Sequence, residues 1–124
     1  DRVLIELAKV IHTNINEFDM VARLNADEFL VTIVSSSSEF EALEIAQKII
    51  KDFSVKKIIV NDETGQVLLK TTCIGFDTLD ISNDEDITDA IKNADIALYE
   101  AKNLGRSQLF KFADLTEEDT IDLF

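Results

Sequence analysis

Apolar residues in this chain switch repeatedly between two spacings, and that alternation restricts the fold more than any other feature. From Val3, the positions Val3, Leu4, Leu7, Ala8, Ile11 and Ile15 recur at three- and four-residue intervals, which predicts a helix with one buried face. Met20 to Leu24 and Phe29 to Val34 are short β-rich runs, and the polar or small segment Asn25-Ala26-Asp27-Glu28 between them reads as a hairpin turn. Ser35 to Ser38 resembles a linker in composition. However, Ser38 and Glu41 have the spacing of a capping box ahead of Ala42, Leu43, Ala46, Ile49, Ile50 and Phe53, so a second helix is expected to start there. Val55 to Val60 and a strand-like stretch from Val67 to Phe76, joined through Asn61-Asp62-Glu63-Thr64-Gly65, predict a second antiparallel pair. After an acidic loop from Asp77 to Asp86, the positions Ile91, Ala94, Ala97, Leu98 and Ala101 predict a last amphipathic helix that Gly105 terminates. A short strand from Gln108 to Phe112 is expected to follow.

This order implies an α+β sandwich, with helices packed on an antiparallel or mixed sheet. Residues 1–112 are expected to form the domain, and residues 113–124 an acidic tail that is either a linker helix or a frayed end. A chain of 124 residues that is 46% hydrophobic can bury one core. No apolar run reaches the roughly 18 to 20 residues that cross a bilayer, and the acidic start has no signal-peptide pattern.

Charge and composition exclude several functions. A formal net charge of −13 argues against binding DNA or RNA, whose phosphates are held by clustered cations. A mononucleotide remains open, because a few local cations and a bound divalent metal outweigh a repulsive net field at short range. The lone Cys73 has no disulfide partner and lies in an apolar run, where a buried small hydrophobe is expected. The only histidine, His12, falls near a helix end, where a solvated imidazole suits the dipole. Zinc and Cys/His chemistry have no support in this pattern.

Three segments in order carry a family resemblance. Arg23-Leu24-Asn25-Ala26-Asp27-Glu28-Phe29 resembles the signature Arg-x-Gly-Gly-Asp/Glu-Glu-Phe of GGDEF domains. Thr72-Cys73-Ile74-Gly75-Phe76 is similar to that family's Thr-x-Ser-x-Gly strand. Ala94-Asp95-Ile96-Ala97-Leu98-Tyr99-Glu100-Ala101-Lys102-Asn103-Leu104-Gly105-Arg106 is similar to its Ala-Asp-x-Ala-Leu-Tyr-x-Ala-Lys-x-x-Gly-Arg helix. The resemblance implies a nucleotidyl-cyclase-like sandwich around a central, mainly antiparallel sheet. It also implies the chemistry of diguanylate cyclases, in which two GTP-loaded domains meet and each ribose 3′-hydroxyl attacks the other α-phosphate under two divalent metals, with Mg2+ the cofactor when nucleotide is bound.

Carried over residue by residue, Asp27 is a metal ligand and, with the adjacent acid Glu28, belongs to the catalytic motif. Asp1, Asn25, Ala26, Lys102 and Arg106 fall at substrate-binding positions, Asp1 toward guanine and the two cations toward phosphate. Lys102 and Arg106 are four apart at the end of the last helix, so they are expected to project from one face, as two contacts to a triphosphate would require. The implied place is the cytoplasm, and the implied partners are GTP or cyclic-di-GMP together with a second copy or an attached EAL or sensory domain.

The chain also departs from the family pattern. Asn25 and Ala26 replace the motif glycines, and a left-handed backbone there would strain an alanine. The family's Arg-x-x-Asp inhibitory site is represented here by Asn16-Glu17-Phe18-Asp19, which retains Asp19 as a remnant without the arginine fork. The family's first strand and following helix, with a further metal-binding aspartate, find no counterpart in this sequence. A fragment of a longer chain, or completion of the sheet by another chain or segment, is expected.

The leading expectation is therefore a degenerate GGDEF module, regulatory, GTP-binding or dimerising, within a larger protein of GGDEF-EAL type, which the stretch from Phe53 to Gly75 also resembles. An active diguanylate cyclase and an acidic interaction domain without nucleotide are the alternatives.

Overall fold

The computed structural model describes residues 2–115, which form two compact units dividing between Thr71 and Thr72. In the first unit, α1 spans Arg2–Asn14, followed by β1 (Met20–Arg23), β2 (Phe29–Thr32), α2 (Glu39–Ser54), β3 (Ile58–Asn61) and β4 (Gln66–Leu68). The second unit contains β5 (Ile74–Phe76), α3 (Ile87–Leu104) and β6 (Leu109–Lys111), with short 3-10 turns at Ile81–Asn83 and Phe112–Asp114. The tail expected from residue 113 lies outside the described residues from 116 onward.

The helical spacing read from the sequence is realised on α2, whereas on α1 only Ile11 of the expected positions is fully buried, beside Val10, which the spacing did not single out, and Ile15 lies beyond the helix end. Val10 and Ile11 of α1 pack with Ala42, Ala46, Ile49, Ile50 and Phe53 of α2, and Ile58 of β3 completes this core. Phe53 and Ile58 are each 1% exposed, the most enclosed large side chains among the described residues. Asn14 Nδ2 also donates to Val10 O at 2.9 Å and to the Asp52 carboxylate at 3.1 Å, tying the end of α1 to α2.

The serine run is a helix entry. Ser38 is the N-cap of α2, and its hydroxyl accepts from Glu41 N at 3.2 Å. The reciprocal half of the box shifts by one residue, since the Glu41 carboxylate accepts from Ser37 N and Ser37 Oγ, each at 2.9 Å. These two bonds hold the Glu41 carboxyl below its ordinary range, the backbone bond contributing most. Ser38→Ala is expected to lower stability by about 1 kcal/mol in urea denaturation, because one orphan helix N–H loses its acceptor.

The expected sheet is realised as three two-stranded ladders. β1 and β2 pair antiparallel from Met20↔Thr32 to Arg23↔Phe29, and β3 and β4 pair antiparallel through Ile58↔Leu68 and Ile59↔Val67. β5 and β6 are parallel, with Ile74↔Leu109 and Phe76↔Lys111 in register, and α3 is the crossover that a parallel pair requires. Among the described residues β2 pairs only with β1, and β5 only with β6.

The strand expected from Val67 to Phe76 is two strands instead. β4 ends at Leu68 and β5 starts at Ile74, and residues 69–73 join no ladder. β-rich composition runs unbroken through the segment, so the sequence does not mark where the ladder partner changes from β3 to β6.

In the second unit, α3 packs against β5 with almost no clearance. Ala97 and Ala101 are 0% exposed, and a Cβ built on Gly75 would lie 2.0 Å from Ala94 O and 2.3 Å from Leu98 N. Asp86 caps the start of α3 by accepting from Thr88 N at 2.8 Å. The cap at the other end is Gly105, at φ 131°, as the sequence predicts. No helix among the described residues is long and apolar enough to cross a membrane.

Candidate functional site on the hairpin

The turn joining β1 to β2 is organised by its own side chains. Leu24 N donates to Glu28 O at 2.9 Å and closes the loop. The Arg23 guanidinium then clamps two backbone carbonyls inside it, with Nε to Asn25 O at 3.0 Å and Nη2 to Ala26 O at 2.7 Å. Asn25 works from the other side, where its Oδ1 accepts from Asp27 N at 3.1 Å and its Nδ2 donates to Glu28 Oε2 at 3.2 Å. Sequence reasoning gives Arg23 only a place in the motif. Its clamp becomes visible once the carbonyls are located.

Neither Asn25 nor Ala26 is left-handed. Among the described residues, positive φ occurs only at Gly65, Asp84, Gly105 and Ser107. The backbone strain expected of an alanine at the second motif position is therefore absent, and this corrects the premise that the turn demands glycine conformations. What the substitutions change is side-chain volume at the tip.

Asp27 is exposed, and its carboxylate has no hydrogen-bond partner among the described residues. Glu28 is partly buried and tied to Asn25. No group of three or more His, Cys, Asp or Glu side chains among the described residues could enclose a metal. A free hard-oxygen donor on a rigid turn nevertheless fits Mg2+, which is held by one or two carboxylates and takes its other ligands from water and substrate phosphates.

Asp19 is the buried carboxylate of the first unit, at 8% exposed. It accepts from Asn16 N at 2.9 Å, Val34 N at 2.8 Å, Ser35 N at 3.0 Å and Ser35 Oγ at 2.7 Å. Burial by itself raises its pKa, but these donors together outweigh it and the carboxyl sits below its ordinary range. This residue, expected as an inhibitory-site remnant, has its oxygens engaged in joining the start of β1 to the end of β2.

The remaining expected residues belong to other segments of the chain. Asp1 lies outside the described residues. Lys102 is in the last turn of α3 and exposed, whereas Arg106 lies beyond the Gly105 cap. The expectation that both project from one helix face is therefore corrected, since Gly105 at φ 131° and ψ −151° ends the helical repeat between them. Cys73 is half-buried instead of core, and its Sγ donates to Gly105 O at 3.3 Å, so it fastens the start of β5 to that cap. Two clefts of the first unit lie elsewhere. One of about 320 Å3 is lined by Val10, Asn14, Asp52 and Lys56, and one of about 380 Å3 by Arg2, Lys9, Lys57 and Asp62, with no turn residue in either.

The family model described as "Diguanylate cyclase, GGDEF domain" matches residues 1–108, which include the hairpin, β5 and all of α3. The chain belongs to the GGDEF family. Diguanylate cyclase A of Treponema denticola is 31% identical over 109 residues, covering 88% of this chain and 28% of that protein. The bifunctional diguanylate cyclase/cyclic di-GMP phosphodiesterase MucR of Pseudomonas aeruginosa is 32% identical over 107 residues, covering 86% of this chain and 15% of that protein. A TpbB (YfiN) structure from Pseudomonas aeruginosa comprising only the GGDEF domain superposes with a TM-score of 0.81 at 30% identity, over 98% of this chain and 67% of that one. This GGDEF chain thus spans about a third or less of the curated relatives it matches and about two thirds of the isolated GGDEF domain.

Proposed function

We propose that this GGDEF module binds GTP through a divalent metal and serves a larger cyclic-di-GMP signalling protein as a regulatory or dimerising unit, with cyclase turnover weak or lost. The observation that carries the reading is the hairpin, which holds the Asp27 carboxylate exposed and without a partner among the described residues, on a turn fixed by Arg23 and Asn25. Bound Mg2+ would supply charge stabilisation at the phosphates, and Asp27 would be its protein ligand. Glu28, held by Asn25, flanks that position as the second motif acid. By the family resemblance Lys102 and Arg106 would take phosphate oxygens and Asp1 would face guanine, with Asn25 and Ala26 standing at the motif positions that approach the substrate.

Loss of turnover follows from volume at the tip. The Ala26 methyl and the Asn25 amide occupy positions where the family has no side chain, so a nucleotide approaching that backbone must stand further off. Feedback inhibition through Asp19 is absent in this reading, because the arginine partner is missing and the carboxylate is engaged by four donors. In this reading the whole protein is cytoplasmic and of the combined GGDEF-EAL type, with a second copy or the attached domain as partner; the match to a bifunctional diguanylate cyclase/cyclic di-GMP phosphodiesterase supports only the combined type.

Turnover is the direct test. GTP and Mg2+ incubated with the full-length protein are expected to yield cyclic-di-GMP at least about 100-fold more slowly than an active relative, a deficit of about 3 kcal/mol in transition-state stabilisation. The double variant Asn25→Gly/Ala26→Gly is expected to regain part of that rate. Turnover matching the relative would establish the competing reading, an active diguanylate cyclase.

A further inference from the structure

At the first glycine position of the motif this chain carries a residue that makes bonds no glycine can make. Asn25 Oδ1 accepts from Asp27 N at 3.1 Å, and Asn25 Nδ2 donates to Glu28 Oε2 at 3.2 Å. One side chain therefore holds the backbone of the first motif acid and the carboxylate of the second. Its own carbonyl is held in turn by Arg23 Nε at 3.0 Å. Since neither Asn25 nor Ala26 has positive φ, the asparagine is not present to supply a left-handed backbone.

We propose that Asn25 is a positioning residue for the motif acids, orienting Asp27 and Glu28 toward a metal-bound nucleotide in a turn that has given up its glycines. The inference rests on the nucleotide reading above and deepens it. A glycine turn is mobile and loses more conformational freedom on closing over a ligand. The Asn25 turn is already ordered before the ligand arrives, so part of that ordering cost is removed from binding. The substitution thus exchanges space at the tip for fixed acids, the arrangement that suits a module retaining its ligand without turning it over.

The two bonds separate by chemistry. Asn25→Asp keeps the acceptor for Asp27 N but replaces the amide donor with a carboxylate facing Glu28. Asn25→Gly and Asn25→Ala remove both bonds. In the full-length protein, amide hydrogen exchange at Asp27 is expected to speed up about fivefold in the Gly and Ala variants and to stay near the original rate in the Asp variant. Binding of Mn2+ with a non-hydrolysable GTP analogue is expected to weaken about fivefold in the Gly and Ala variants, with Tm in the absence of ligand unchanged within a degree or two. Unchanged Asp27 exchange in Asn25→Gly would overturn the inference, and so would faster exchange with undiminished binding. If the unsubstituted protein shows slow Asp27 exchange but binds no nucleotide, it is the nucleotide reading that fails, and that result is distinct from both.

Discussion

Gly75→Ala is expected to unfold the second unit. The added methyl carbon would lie 2.0 Å from Ala94 O, 2.3 Å from Leu98 N and 2.7 Å from Leu98 Cα, all backbone atoms of one helix turn. No rotamer change relieves such a contact, because the obstacles are main chain on one side and a strand in register with β6 on the other. α3 must move away from β5, which opens the interface that encloses Ala97 and Ala101, both 0% exposed. Overpacking of a close-packed interface costs about 1–3 kcal/mol when side chains can shift. Here the loss should exceed about 4 kcal/mol, the range reserved for disrupted cores. Urea denaturation of the full-length protein should show loss of the second unit's transition, and the amides of α3 should exchange rapidly. Full retention of α3 protection would show that the β5–α3 spacing is not set by this glycine.

Asp19→Ala has the next largest expected effect, about 3 kcal/mol, from the loss of four hydrogen bonds to a buried carboxylate. The change leaves Val34 N and Ser35 N without their acceptor at the point where the chain leaves β2 for α2. Asp19→Asn should recover part of the loss, since one amide oxygen remains an acceptor. The same residue gives a pH signature. Its folded-state pKa is lowered, so its contribution is present above the unfolded aspartate pKa of about 3.9 and disappears as pH falls through the lower folded value. Stability of the unsubstituted protein should therefore drop more steeply below about pH 4 than that of Asp19→Asn, as read by urea midpoints across the acid range. Identical acid slopes would contradict the bonding assigned to Asp19.

What the sequence conveyed most directly was periodicity. The helix at α1, the buried face of α2, the caps at Ser38 and Gly105, and the hairpin centred on Asn25 to Glu28 all follow from local spacing and side-chain chemistry, and the structure places them as read. Partner exchange between strands was not legible. Residues 67–76 look uniformly β-rich, yet β4 belongs to β3 and β5 to β6, because ladder pairing is a long-range property. The site divides in the same way. The motif acids could be located from their order along the chain, whereas the Arg23 clamp, the absence of left-handed residues at Asn25 and Ala26, and the engagement of Asp19 depend on where carbonyl and amide groups lie in space. Gly105 served both as a correct helix stop and as the reason the Lys102–Arg106 spacing misleads, since a spacing argument holds only while the helix continues.

We propose above all that the hairpin retains a live, metal-assisted nucleotide site. Calorimetric titration of the full-length protein with a non-hydrolysable GTP analogue and Mg2+, beside Asp27→Ala, tests it most directly. Micromolar binding that requires Mg2+ and is lost in Asp27→Ala is expected, with the fold of the variant unchanged because the Asp27 carboxylate has no partner among the described residues. An absence of binding in the unsubstituted protein, or equal binding in the variant, would contradict it.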